Sequence, residues 1–153
     1  MRRWIGRLEP ASLALIVTIA AALACDSSPA KPGNPAAPGP ETIQLLAALQ
    51  RNGATAEVAE IMRLEVMPFS VPAVRVLVNG SNVHVFEYAT VAVADAEAAG
   101  VSADGSSIGA TQVLWVSTPH FFRGSRLIVL YVGMDPMVIE ALASLLGPQF
   151  AGR

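Results

Sequence analysis

The sequence predicts an α+β domain in which a mainly antiparallel sheet of four to five strands carries about three helices packed on one face. Three observations predict it. Val74, Val76 and Val78 alternate with other residues, Asn79-Gly80 follows, and Val83, Val85 and Phe86 resume the alternation, which is the pattern of a tight β-hairpin. A second apolar run lies at Leu127 to Val132. Segments with helical spacing or caps stand before, between and after these strand pairs.

Each element has a local cause. Ile43, Leu46, Ala47 and Leu49 recur at helical spacing, and Asn52-Gly53 supplies the stop. A short strand is expected at residues 54–58. Residues 60–71 are mixed, because Ile61, Leu64 and Met67 suit a helix while Pro68 and Pro72 break it, and are read mostly as loop. After the hairpin, Thr90 can cap a helix that runs to Ala99 and ends at Gly100. Asp104-Gly105 marks a loop. Residues 112–117 and 127–132 are then expected as buried strands joined across residues 119–125.

Asp135-Pro136 is an N-cap followed by proline at the first helical position, with Met134 and Ile139 spaced as a hydrophobic staple. Val138, Ile139, Leu142, Leu145 and Leu146 form that helix's apolar face, and Gly147-Pro148 stops it. The step from Phe86 through Ala98 to Val113 predicts one right-handed crossover of the ferredoxin-like sort. No internal repeat is strong in the sequence, although the two hairpin-then-helix units resemble each other.

The chain divides into residues 1–24, 25–40 and 41–153. In the first part Arg2, Arg3 and Arg7 precede an apolar run from Ala11 to Ala24, the build of a secretory signal. The uncharged stretch between Glu9 and Asp26 is 16 residues, shorter than the about 20 that a membrane-crossing helix needs. Ala22-Leu23-Ala24 before Cys25 resembles the lipobox of bacterial lipoprotein precursors. That family most often has Leu three residues before the Cys, where this chain has Ala22. The resemblance covers about the first 26 residues, and it implies that Cys25 is diacylated on sulfur and becomes the new N-terminus. Cys25 is the only cysteine and has no internal disulfide partner. The implied location is a cell membrane, on the periplasmic or extracellular side. Asp26 resembles the inner-membrane retention signal of some such proteins.

Residues 26–40 hold five prolines and no large apolar side chain, too little to offset ordering entropy. Pro29, Pro32, Pro35 and Pro38 recur every third residue, as in polyproline II, so the segment reads as a semi-extended spacer of roughly 45 Å. The remaining 113 residues suit one domain with one core. From Cys25 onward, seven Lys plus Arg stand against eleven Asp plus Glu, a formal net of −4. No basic stripe is present, which argues against nucleic acid as a partner.

Few residues invite chemistry. Gly105-Ser106-Ser107-Ile108-Gly109 fits the G-x-S-x-G pattern of hydrolase nucleophile elbows, but it precedes a strand instead of a helix, and no His follows Asp135. His84 and His120 are 36 residues apart with no second Cys or adjacent carboxylate, so no zinc site or cofactor is expected. His84 shares a strand face with Phe86 and Tyr88. His120, Phe121, Phe122 and Arg123 are the candidate contact for a partner, because neighbouring strand residues point to opposite faces and one ring is expected to face solvent or a pocket. Closure of the core by these rings is the alternative. The functional expectation is a membrane-anchored binding or interaction module of the cell envelope. A hydrolase using Ser107 or His120 and an assembly factor for an envelope complex are the other two readings.

Overall fold

A computed structural model describes residues 37–62 and 67–152. Cys25, the signal region and most of the spacer lie outside the described residues. The elements follow in the order α1 (Pro40–Arg51), β1 (Ala56–Met62), β2 (Ala73–Val78), β3 (Ser81–Glu87), α2 (Val91–Ala99), β4 (Ser107–Ile108), β5 (Thr111–Gln112), β6 (Pro119–Gly124), β7 (Leu127–Val132), α3 (Pro136–Leu146) and β8 (Ala151–Gly152). Six strands form one sheet in the order β1-β2-β3-β7-β6-β8, every neighbouring pair antiparallel, and β4 pairs with β5 apart from it. The class is α+β, with more strands than the four to five expected. Among the described residues no helix is long and apolar enough to cross a membrane.

The central hairpin forms as its sequence dictates. Asn79 and Gly80 both take positive φ, 51° and 80°, which gives the turn the twist of its flanking strands. Val78 then pairs with Ser81 and Val74 with Val85. Val74, Val76, Val78, Val83 and Val85 thereby share one face, while Ala73 and Phe86 share the other. β1 begins in the short strand expected at residues 54–58 and runs on into the region read as loop, and a bulge between Val58 and Glu60 lets Val58 and Ile61 both pair with residues on the valine face.

Two further expectations are corrected, one at β6 and one at the start of α3. Residues 113–118 join no ladder, and Leu114 and Val116 are 99% and 98% exposed. The strand beside β7 is the stretch read as its connection, Pro119–Gly124, with proline at the first position, where its missing N–H costs least. The staple is also not formed as a buried contact, since Met134 is 77% exposed. Asp135 caps α3 as predicted, accepting from the Met137 amide at 2.9 Å.

The helices do not share a face. α1 and α3 pack through Leu45, Leu46, Leu49, Val138 and Leu142 on the valine face, whereas Ala94 and Ala98 of α2 lie with Phe86, Ile128 and Leu130 on the opposite one. Strand direction explains the correction. β3 and β6 run parallel with β7 between them, joined by α2; β7 and β8 run parallel with β6 between them, joined by α3. Both steps move toward the same sheet edge but start on strands of opposite direction. Crossovers of one hand must then pass over opposite faces. The predicted crossover therefore exists, ending on β6 instead of at Val113 and straddling a strand.

At the start of α1 the cap comes from another element. Gly39 offers no side chain, and the Glu87 carboxylate of β3 accepts from the amides of Glu41 and Thr42 at 3.2 and 2.9 Å and from Thr42 Oγ1 at 2.8 Å. A Cβ on Gly39 would collide with that carboxylate, which is why glycine stands there. Arg126 completes the junction by pairing with Glu41 at 2.8 Å and Glu87 at 3.3 Å. These bonds hold the Glu41 carboxyl below its ordinary value against the opposing effect of its burial.

Candidate functional site

The side of the sheet covered by α2 contains an open groove of about 590 Å³, inside the range of about 300–1,000 Å³ usual for ligand sites. One wall is α2. Its sequence, Val-Ala-Val-Ala-Asp-Ala-Glu-Ala-Ala, is apolar on nearly every side. Ala94 and Ala98 are small enough to bring the helix down onto the sheet, which leaves Val93 at 42% and Val91 at 46% exposure, with no described element over them. Thr90 fixes the helix start by accepting from the Val93 amide at 3.3 Å. Ala92, Val93, Ala96 and Glu97 face the groove.

The other wall is the β4-β5 hairpin, contributing Ile108 and Ala110, with Pro68 at the margin. Its loop is ordered by Asp104, whose Oδ1 accepts from Ser102 Oγ, Ser106 Oγ and the Ser106 amide at 2.8, 2.9 and 3.0 Å. Those bonds hold the Asp104 carboxyl at about 2. The hairpin is tied to the end of α2, because Gly109 N–H donates to Gly100 O at 2.8 Å and Val101 bridges Ile108. The G-x-S-x-G glycines have backbone roles here. Gly105 (φ +72°) packs against Phe121 and Pro119, and Gly109 (φ +58°) begins the turn.

Two polar groups lie on this face of the sheet, Glu97 in the groove lining and Tyr88 in the core beside it. The Glu97 side chain makes no ion pair or hydrogen bond among the described residues, unlike Asp95 on the same helix, which pairs with Arg123. The Tyr88 hydroxyl is buried without a hydrogen-bond partner among the described residues, and Tyr88 is 1% exposed. Burial first, and then the negative charge of Glu97, push its ionisation well above the usual range.

The residues singled out in the sequence fall elsewhere. No described hydrogen bond joins Ser107 to a histidine. His120 is 6% exposed, with Nδ1 2.7 Å from Gln149 Oε1, Nε2 3.0 Å from Gly133 O, and its ring stacked on Tyr131. Phe121 and Phe122 do point to opposite faces, but both faces are covered at this point, and the rings are 0% and 1% exposed. Of the four residues expected at a partner contact only Arg123 is exposed, and it is engaged by Asp95. His84 lies across from Arg75 on β2, and its ionisation is lowered by burial and then by that guanidinium. Arg75 is itself paired with Glu60 at 2.9 Å.

Sequence reasoning missed the groove. The available signal was α2 itself, a short helix without a polar face, which implies covering on all sides or an open apolar surface. Comparisons with protein-family models, with curated proteins and with solved structures find no match.

Proposed function

We propose that this chain is a membrane-anchored lipoprotein of the cell envelope, held through lipid on Cys25, whose domain binds an apolar ligand in the groove between α2 and the β4-β5 hairpin. The observation that carries the binding reading is the groove itself. An apolar helix side stands open beside a wall that four separate interactions hold in place. Solvent-exposed Val93 and Ala96 pay a hydration cost that a ligand removes.

The test uses a neutral fluorescent probe, N-phenylnaphthylamine, with the wild-type chain and Ala96→Trp, which fills the groove from an exposed position. Wild-type protein enhances the probe's emission and Ala96→Trp does not, while both give the same circular dichroism. Equal enhancement by the two proteins rejects the groove as the site. A paired Leu114→Ser, Val116→Ser variant serves as a control for the most exposed aliphatic pair outside the groove; loss of enhancement there moves the site to that segment. For the anchor, intact mass of membrane-extracted protein carries added lipid on a chain beginning at Cys25. An N-terminus at any other residue, or a Cys25→Ser variant of unchanged membrane attachment, rejects it.

A further inference from the structure

Resting on the anchor reading, we infer that Leu114 and Val116 are a membrane contact, two side chains that enter the bilayer to which lipid on Cys25 holds the domain. They are 99% and 98% exposed, more so than any other large apolar side chain among the described residues. The residue between them is fixed: Trp115 donates from Nε1 to Gly105 O at 2.7 Å, and its ring meets Phe121 edge-on at 5.8 Å. On one side of the pair the Val113 amide donates to Ser106 O at 3.0 Å, and on the other Thr118 O accepts from the Gly133 amide at 2.9 Å. Leu114 and Val116 are therefore held outward by a backbone that is tied down around them. Met134, 77% exposed, follows Gly133 directly and adds a third apolar side chain at this end of the sheet.

Charge and size both select a bilayer as the occupant. From Gly105 to Phe122 the chain carries no Asp, Glu, Lys or Arg, whereas the chain from Cys25 onward is acidic as a whole. Anionic headgroups repel acidic surfaces, and an uncharged aliphatic segment passes between them without stripping water from an ion. Two side chains fall far short of the about 800 Å² that each partner buries in a stable protein interface. A bilayer has no such threshold, because it takes up apolar side chains singly, in proportion to the area each removes from water. Reach permits the contact. The spacer enters the domain at Gly39, beside Glu87 at the end of β3, while Leu114 and Val116 precede Pro119 at the opposite end of the strands. Those ends are one six-residue strand apart, about 20 Å, and a semi-extended spacer of roughly 45 Å exceeds that distance.

The experiment places the full chain in nanodiscs of phosphatidylcholine and phosphatidylglycerol, with and without a phosphatidylcholine spin-labelled on its acyl chain just below the headgroup. Broadening of the Leu114 and Val116 amide signals by the label is expected to exceed that of Gln44, on the exposed side of α1, several-fold. Leu114→Ser with Val116→Ser is expected to lower the membrane-contacting population about tenfold or more, with unchanged circular dichroism and unchanged retention on the discs. Broadening no greater at Leu114 and Val116 than at Gln44, on a chain that stays with the discs, overturns the inference and leaves the anchor reading standing. So does selective broadening that survives the double substitution. Shifts of the two amides that follow protein concentration instead of the label assign the pair to a second copy and overturn the inference. A chain that leaves the discs and carries no lipid mass overturns the anchor reading and the inference with it.

Discussion

The two faces of the sheet are built from different kinds of helix. On the valine face α1 and α3 bury leucines and a valine inward and present Gln44, Gln50, Arg51, Glu140 and Ser144 outward. On the other face α2 turns alanines inward and more alanines and valines outward. α1 and α3 close the core with a band of leucines, although Ile43 and Met137 stay 55% and 64% exposed. A small, apolar helix closes it just as well, because Ala94 and Ala98 allow close approach, but leaves an apolar surface over. The first face thus carries two amphipathic helices, and the second has the open groove beside α2.

The largest effect that separates the faces is on stability. Leu142→Ala removes a fully buried side chain between α3 and the sheet and is expected to cost about 2–5 kcal/mol in chemical denaturation. Val93→Ala, on the groove side of α2, is expected to change stability by less than about 0.5 kcal/mol while weakening the apolar probe. Comparable destabilisation by the two would end the contrast between the faces.

Next in size is the junction at α1. Glu87→Ala leaves two amides and Thr42 Oγ1 without their acceptor and Arg126 with one partner fewer, and is expected to cost about 1–3 kcal/mol. Denaturation should show that loss, with faster amide exchange at Glu41 and Thr42. Unchanged stability would mean that water caps the helix equally well.

On the groove face, Tyr88→Phe deletes a hydroxyl that has no partner, so the unliganded protein is expected to be unchanged or stabilised by up to about 1 kcal/mol. A clear loss of stability would reveal a partner for the hydroxyl.

The smallest effect belongs to Asp104. Its carboxyl is held at about 2 against an ordinary 3.8, so the folded loop favours the charged form. The contribution is complete above the ordinary value and is lost as pH falls through about 2. Exchange of the Ser106 amide, corrected for its intrinsic pH dependence, should therefore quicken as acid is added across that interval, and a flat corrected profile would contradict the assignment.

The legible parts of the fold were those set by short-range chemistry. Asn79-Gly80, Thr90 and Asp135-Pro136 each specify a turn or cap with little help from the rest of the chain, and each is where the sequence puts it. Residues 112–117 misled because apolar content alone does not distinguish a buried strand from a segment whose alternate side chains face out. Trp115 turns inward to donate to Gly105 O at 2.7 Å, and Leu114 and Val116 are left outside. β6 was hidden by its proline and histidine, although its pairing with β7 is local, a hairpin that turns at Ser125-Arg126. The groove was not legible because no strand was expected at residues 107–111, although its walls, α2 and β4-β5, are consecutive in the chain.

The borrowed cap on α1 has a mechanical consequence. A pull on the chain ahead of Gly39 is passed through the first turn of α1 to Glu87, and so to β3, which lies inside the sheet between β2 and β7. Interior strands are loaded along their ladders, where many hydrogen bonds share the force, whereas an edge strand such as β1 can be peeled one bond at a time. Attachment at this point allows the domain to be tugged from its N-terminal side without starting to unzip.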